Sequence, residues 1–113
     1  MERTIDSVIG YFSQSVSEGQ KLAPASWVEA AQYIVVLMDK EHDTLYDLQQ
    51  KTAQEKVSYI EDGDSVAKAK AKVEASDTYK QYLKQKARIE QLWEFIRTAK
   101  LRARLEEGSY RNQ

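Results

Sequence analysis

Apolar residues recur at helical spacing along most of the chain, and the first such stretch lies near the N-terminus. Ile5, Val8, Ile9, Phe12 and Val16 recur at helical spacing, which places them on one side of a helix. Gly19 comes just after this stretch, where a glycine commonly ends a helix. The pattern therefore predicts a short helix over residues 4–18.

A second and much longer helix is predicted over residues 26–62. Ser26 and Glu29 match a capping box, in which the two side chains satisfy each other's free backbone N–H groups. Apolar or weakly polar residues then recur with a period near 3.6: Trp27, Ala31, Ile34, Met38, Leu45, Leu48, Thr52 and Tyr59. At 1.5 Å per residue, this helix would be roughly 50–55 Å long.

A turn at Gly63 separates this helix from a third one, predicted over residues 65–107. Gly63 can adopt the left-handed conformation that ends a helix, and Ser65 can cap the next. Alternation over residues 66–72 is compatible with a strand, but alanine and lysine favour a helix. A kink is expected near residue 76, Gly108 is expected to end the helix, and residues 108–113 are expected to form a tail.

These elements predict an all-α fold in a single domain, in which a short N-terminal helix precedes a long antiparallel two-helix hairpin of coiled-coil type. The apolar stripes of the two long helices meet away from the turn and become sparse toward it. At the end of the hairpin far from the turn, we expect the core and the contact surface to be formed by Trp27, Tyr33, Leu37, Trp93 and Phe95.

The hairpin has more apolar residues than two facing helices can bury. Those that cannot all point inward are Tyr33, Val35, Val36, Leu37, Tyr46, Leu92 and Phe95. Because a large exposed apolar surface usually marks a contact with another molecule, we expect a protein partner or self-association, with a homo-oligomer favoured.

Composition narrows the class of protein. The 113 residues include one proline, four glycines and no cysteine, which argues against an all-β fold and excludes disulfides and thiolate metal sites. The longest apolar run, residues 33–38, is far too short to cross a bilayer. The first residues lack a signal-peptide pattern. We therefore expect a cytoplasmic protein with no membrane partner.

Charge is distributed unevenly along the chain. Residues 1–65 carry 12 acidic and 5 basic side chains, whereas residues 66–104 carry 4 acidic and 11 basic ones. Folding the two segments together would neutralise much of this charge within a Debye length. The least neutralised cations would be Arg97, Lys100, Arg102 and Arg104. A nucleic-acid-binding accessory protein that uses these residues of the basic third helix is the alternative function.

One cluster resembles a metal site, because Asp39, His42 and Asp43 share a side of the long helix. The cations expected to face it, Lys84 and Lys86 among them, would repel a metal. We therefore interpret the cluster as an ion-pair layer in which Glu41 lies opposite Lys84 or Lys86, and we expect no metal and no cofactor.

The sequence offers no motif for catalysis. It contains no Gly-x-Ser-x-Gly elbow and no glycine-rich phosphate loop, and a single histidine would have to serve any catalytic triad. We therefore expect no catalytic residues, no enzymatic activity and no small-molecule substrate.

Three groups of residues resemble small helical proteins encoded by tailed bacteriophages, a group to which no activity is attached. The similar segments are Ala30-Ala31 and Val36-Leu37 with residues 39–45, then residues 65–70 and 73–79, and finally residues 94–100. The resemblance covers about two thirds of the chain and implies a phage origin and action in the cytoplasm of a bacterial host. The expected function is a non-enzymatic interaction module, either an oligomeric assembly or accessory factor or an inhibitor of a host protein.

Overall fold

The computed structural model describes residues 3–111, and their side chains as far as residue 108. Within residues 3–111 the chain forms four α-helices and no strand, which confirms the all-α class. In chain order they are α1 (Ile5–Ser17), α2 (Pro24–Glu61), α3 (Val66–Glu74) and α4 (Asp77–Arg111).

Helix α1 is capped at both ends by local hydrogen bonds. The Ser7 backbone N–H donates to Thr4 Oγ1 at 3.1 Å, and the Thr4 N–H donates to Ser7 Oγ at 2.9 Å, so the capping box forms here. At the other end, Gly19 has a φ of +74°. The N–H groups of Gly19 and Gln20 donate to the carbonyls of Val16 and Ser15, and the predicted stop at Gly19 is confirmed.

Helix α2 begins at Pro24, so the predicted start at Ser26 is wrong. The Ser26 N–H donates to the Ala23 carbonyl at 2.9 Å, so Ser26 already belongs to the first turn. Proline is well suited to that position because its φ is fixed near the helical value and its missing N–H would have no helical partner.

The turn after α2 contains the second left-handed glycine, as predicted. Gly63 has a φ of +106°, and its N–H donates to the Ile60 carbonyl while the Asp64 N–H donates to the Tyr59 carbonyl, both at 3.0 Å. This pair of bonds is a Schellman motif. The Lys68 N–H donates to Ser65 Oγ at 3.2 Å, so Ser65 caps α3.

The kink expected near residue 76 is a break between two helices. The Ser76 hydroxyl donates to the Val73 carbonyl at 2.6 Å and accepts from the Tyr79 N–H at 3.2 Å, so one side chain serves the end of α3 and the start of α4. Helix α4 then continues through Gly108 to Arg111. Gly108 lacks the positive φ of Gly19 and Gly63, and a glycine with helical φ costs only about 1 kcal/mol relative to alanine. Residues 112–113 of the expected tail lie outside the described residues.

The chain divides into two compact units, and most of the buried apolar side chains belong to the first. This unit takes in the described parts of Met1–Met38 and Gln91–Gln113. Its core is built from one side each of α1, α2 and α4: Ile5, Val8, Phe12, Trp27, Ala30, Ala31, Ile34, Met38, Leu92, Ile96, Ala99 and Ala103.

The second unit, Asp39–Glu90, has a much smaller core. Its buried apolar residues are Ala69, Val73 and Ile89. Polar contacts supplement them: Thr78 Oγ1 donates to Glu55 Oε1 at 2.6 Å. The other carboxylate oxygen of Glu55 is buried and has no hydrogen-bond partner among the described residues.

Candidate interaction surface

Three aromatic rings hold α1 against α2 and α4 in the first unit. The Phe12 ring centroid lies 4.6 Å from that of Trp27 and 6.0 Å from that of Phe95, and Trp27 and Phe95 are 6.5 Å apart. Trp27 is only 4% exposed, and Phe95 is half-buried. Of the five residues predicted as core and contact surface, these two therefore belong to the contacts that position α1.

The other three predicted residues lie in different surroundings. The Tyr33 hydroxyl donates to the Arg3 carbonyl, and the Arg3 guanidinium lies 4.8 Å from the Tyr33 ring centroid. Leu37 is half-buried. Trp93 is 39% exposed, more than any of the other four residues. The five predicted residues do not form one continuous exposed surface.

A different set of residues lines an apolar groove in the first unit, with a volume of about 550 Å³. We call it the valine groove, and its lining residues are Val28, Ala31, Gln32, Val35, Val36 and Lys100. Val28, Val35 and Val36 are 41%, 43% and 74% exposed. No residue of α1 lines this groove.

Helical geometry explains why α1 leaves the valine groove uncovered. Val28 and Val35 are seven residues apart and share a side of α2. Tyr33, which contacts Arg3 at the start of the chain, lies two residues before Val35 and therefore about 160° around the helix from it. Because the residue preceding Thr4 contacts Tyr33 and the Phe12 ring of α1 packs on Trp27, α1 does not cover the valine side, which stays exposed.

The sequence contained a partial signal for the valine groove. Val35 and Val36 are among the apolar residues that cannot all point inward in a two-helix hairpin, but the predicted contact surface does not include them. Val28 is in neither set. The seven-residue interval between Val28 and Val35 could have identified a second apolar side on α2. Leu92, another of the apolar residues that cannot all point inward, is 1% exposed and belongs to the core.

The four cations predicted for nucleic-acid contact lie on two sides of α4. Arg97 and Arg104 are three residues before and four residues after Lys100, so these three share a side. Arg102 lies two residues from Lys100, about 160° around the helix. It lines a separate groove of about 190 Å³ together with the rings of Phe12, Trp27 and Phe95.

The charge of Arg97 is partly compensated on its own helix. Its guanidinium donates to Glu94, and both side chains are well exposed. An exposed pair of this kind contributes little to stability. Among the residues that the structure describes, neither Lys100 nor Arg104 forms an ion pair.

In the second unit, Glu41 is the centre of a polar layer. Gln85 Nε2 donates to the Glu41 carbonyl at 2.9 Å and to its Oε2 at 2.7 Å, and Arg88 Nε donates to the same oxygen at 3.1 Å. The predicted partners Lys84 and Lys86 are wrong. Both are exposed, because Gln85 and Arg88, three residues apart, share the inward side of α4, whereas Lys84 and Lys86 point away from it.

The metal-like cluster of Asp39, His42 and Asp43 does not come together as a site. Among residues 3–111 there is no group of three or more histidine or acidic side chains that could hold a metal ion. Asp39 and Asp43 are exposed, and His42 is half-buried.

Asp64 forms the ion pairs next to the Gly63 turn. Its Oδ2 lies 2.6 Å from Lys72 Nζ and its Oδ1 lies 3.9 Å from Lys68 Nζ, while Lys72 Nζ lies 5.1 Å from the Tyr59 ring centroid. The hydrogen bond to Asp64 raises the pKa of the Lys72 ammonium above its ordinary value. These contacts stabilise the turn and create no cavity.

Neither the character of the helices nor comparison with known proteins assigns a function to the chain. None of the helices within residues 3–111 combines the length and the apolar character that a bilayer span requires. No family model, no curated protein and no solved structure matches the chain.

Proposed function

We propose that this chain is a non-enzymatic protein-interaction module that contacts its partner through the side of the first unit that α1 leaves uncovered. The supporting observation is the valine groove, where three exposed valines lie together on α2 and α4 contributes Lys100. Clustered apolar surface of this kind marks an interaction site more often than isolated exposed residues do. Among the described residues that line the groove, Lys100 is the one ionisable side chain, which suits binding rather than acid–base chemistry.

We also propose that the two long segments form one domain with an antiparallel, coiled-coil-like hairpin that turns at Gly63. The order of contacts in the second unit supports this arrangement. From Glu41 to Glu55 to Tyr59 along α2, the partners run backward through Arg88, Thr78 and Lys72. Reversed order is typical of antiparallel neighbours joined by a short turn.

The proposed role is that of an oligomeric assembly or accessory factor, or of an inhibitor of a host protein, in the cytoplasm of a bacterium infected by a tailed phage. This part rests on the sequence pattern and the resemblance. The alternative, nucleic-acid binding through the basic third helix, has weaker support because Arg102 lies apart from Arg97, Lys100 and Arg104.

Light scattering on the parent chain and two matched variants tests for self-association. Val36→Ser removes the most exposed valine of the groove, and Val57→Ser makes the same change at an exposed valine of the second unit. Both positions tolerate serine because neither side chain is buried. We expect a mass above 13.0 kDa that rises with concentration for the parent and Val57→Ser, and a lower mass for Val36→Ser.

Two results would contradict this proposal. A parent chain that stays monomeric at millimolar concentration removes self-association. If pull-down from a bacterial lysate with the parent chain also recovers no protein, the interaction-module function itself is overturned. Equal masses for Val36→Ser and the parent oligomer would instead place the contact outside the valine groove.

A further inference from the structure

We propose that the second unit, Asp39–Glu90, opens as one cooperative body while the first unit stays folded. The inference goes beyond the proposed function, because none of the residues that line the valine groove belongs to the second unit. Three observations carry it: the small core of this unit, the nature of its polar contacts and the length of α3.

The two units bury very different numbers of apolar side chains. Among the residues that the structure describes, twelve of the fifteen buried apolar residues belong to the first unit and three to the second. The larger apolar side chains that the second unit has on α2, Leu45, Leu48 and Tyr59, are only half-buried. Because burial of apolar surface is the dominant favourable contribution to folding, the second unit is held closed by a smaller free energy than the first.

The polar contacts of the second unit do not replace a core. The best of them joins Glu41 to Gln85 and Arg88, and such bonds add little net stability because water satisfies the same groups in the open form. The Thr78 hydroxyl satisfies one carboxylate oxygen of Glu55. The other oxygen is buried and has no hydrogen-bond partner within the described part of the chain. An acceptor of this kind favours the open form, in which water reaches it.

Helix α3 explains why the opening is cooperative. Its nine residues are fewer than the roughly 12–15 that an isolated helix needs in water. It is attached through the buried side chains of Ala69 and Val73, through the ion pair of Lys72 with Asp64, and through the contact of Lys72 with the Tyr59 ring. When these contacts separate, α3 loses its helical structure and the neighbouring part of α2 loses its packing in the same step.

Opening gives the chain a second apolar surface, whose exposure is governed by an equilibrium. Val73 and the half-buried residues of α2 become accessible in the open form. The valine groove belongs to the first unit and keeps its shape. A molecule that binds the open form shifts the equilibrium by the difference between its affinities for the two forms.

Native-state hydrogen exchange, followed by NMR at urea concentrations below the unfolding transition, tests the proposal. In the parent chain, after correction for intrinsic rates, we expect the amides of Leu48 and Val73 to exchange faster than those of Ile34 and Ile96. Exchange at Leu48 and Val73 should also depend less on urea, because opening one unit exposes less surface than unfolding the whole chain.

Two core variants separate local opening from global unfolding. Global unfolding includes the opening of the second unit, whereas that opening leaves the core of the first unit intact. Ile96→Val, at a buried residue of the first unit, should speed exchange at Ile34 by roughly two- to tenfold and leave Leu48 unchanged. Val73→Ala should speed exchange at both Ile34 and Leu48 by about tenfold, the effect of removing two buried methylene groups.

Ser65→Ala is a milder change in the second unit, because it removes only the N-cap of α3, and it keeps the test valid if Val73→Ala unfolds this unit. It should speed exchange at Val73 and Leu48 by about fivefold. Far-UV circular dichroism checks the helix content of every variant.

Two results would overturn the proposal. If Ile96→Val speeds exchange at Ile34 and Leu48 by the same factor, the two units unfold together. If Ser65→Ala speeds exchange at Val73 and leaves Leu48 unchanged, α3 opens by itself rather than with the rest of its unit. Neither measurement involves binding at the valine groove, so a failure here leaves the proposed function intact.

Discussion

The Gly63 turn allows a sharp test, because the same substitution should have opposite effects at two glycines. Gly63 has a φ of +106° and Gly10 lies within α1, and a Cβ built on either residue meets no atom within 4 Å. Steric crowding is therefore equal at the two sites, and the difference between them is backbone conformation alone.

The expected magnitudes follow from that conformation. An alanine at Gly63 has to hold a left-handed φ, which costs roughly 1–2 kcal/mol for an L-residue. An alanine at Gly10 stabilises α1 by up to about 1 kcal/mol, because glycine is a poor helix former. The two variants should therefore differ in free energy of unfolding by roughly 2 kcal/mol. Gly63→Val should cost about 1 kcal/mol or more, since a β-branched residue resists positive φ.

Urea unfolding followed by far-UV circular dichroism measures these differences. With a slope of about 1–3 kcal/mol per molar urea for a small protein, the midpoints of Gly63→Ala and Gly10→Ala should differ by about 1 M. Gly19→Ala offers a second left-handed site with open space and should behave like Gly63→Ala. A midpoint for Gly63→Ala equal to or above that of the parent would refute the conformational argument.

Three further predictions concern the cores and the turn. Leu92→Ala should reduce the free energy of unfolding by about 2–5 kcal/mol, the range for a large buried side chain, as measured in urea. Thr78→Val should reduce it by roughly 1–3 kcal/mol, because it removes the hydrogen bond to Glu55 and leaves a buried acceptor unpaired, whereas Glu55→Leu combined with Thr78→Val should restore most of that loss. Asp64→Asn should lower the pKa of Lys72, which NMR titration of the Lys72 side chain can follow. Because that pKa is raised in the folded chain, the stabilisation is present below the ordinary value of 10.5 and is lost as pH rises through the higher folded value.

Each of these predictions has a contradicting result. Leu101→Ala, at an exposed leucine of α4, is the control for Leu92→Ala, and similar midpoints for the two variants would contradict the assigned core. A double variant at residues 55 and 78 as unstable as Thr78→Val alone would show that the unpaired carboxylate is not the cause. An unchanged Lys72 titration in Asp64→Asn would remove the hydrogen bond as the source of the raised pKa.

The features that could be predicted from the sequence are those with a local cause. Gly19 and Gly63 were identified as helix ends because glycine adopts positive φ without strain. Ser76 was identified as an interruption because its hydroxyl can bond to nearby backbone groups. The start of α2 was placed incorrectly because two local signals, Pro24 and Ser26, compete within three residues, and the fixed φ of proline prevailed.

The features that could not be predicted depend on packing between helices. Glu41 pairs with Arg88 rather than with Lys84 or Lys86, since a small rotation of a helix decides which of several neighbouring cations points inward. The valine groove stays exposed because α1 packs elsewhere on α2, through the contact of Phe12 with Trp27, and no local sequence pattern specifies that placement. The separation of Arg102 from Lys100, in contrast, follows from helical spacing and was available from the sequence.

The first unit is built from two segments that are far apart in the chain, and this affects the order in which the protein can fold during synthesis. Its two segments are separated in the chain by Asp39–Glu90, so Trp27 and Ile34 leave the ribosome long before Leu92 and Ile96 exist to cover them. At about 5–20 residues per second, the intervening stretch of about 50 residues takes roughly 3–10 seconds to translate. During that interval the apolar side of α2 is exposed to solvent, because the α4 residues that will bury it have not yet been made. We expect a chaperone to be most useful then.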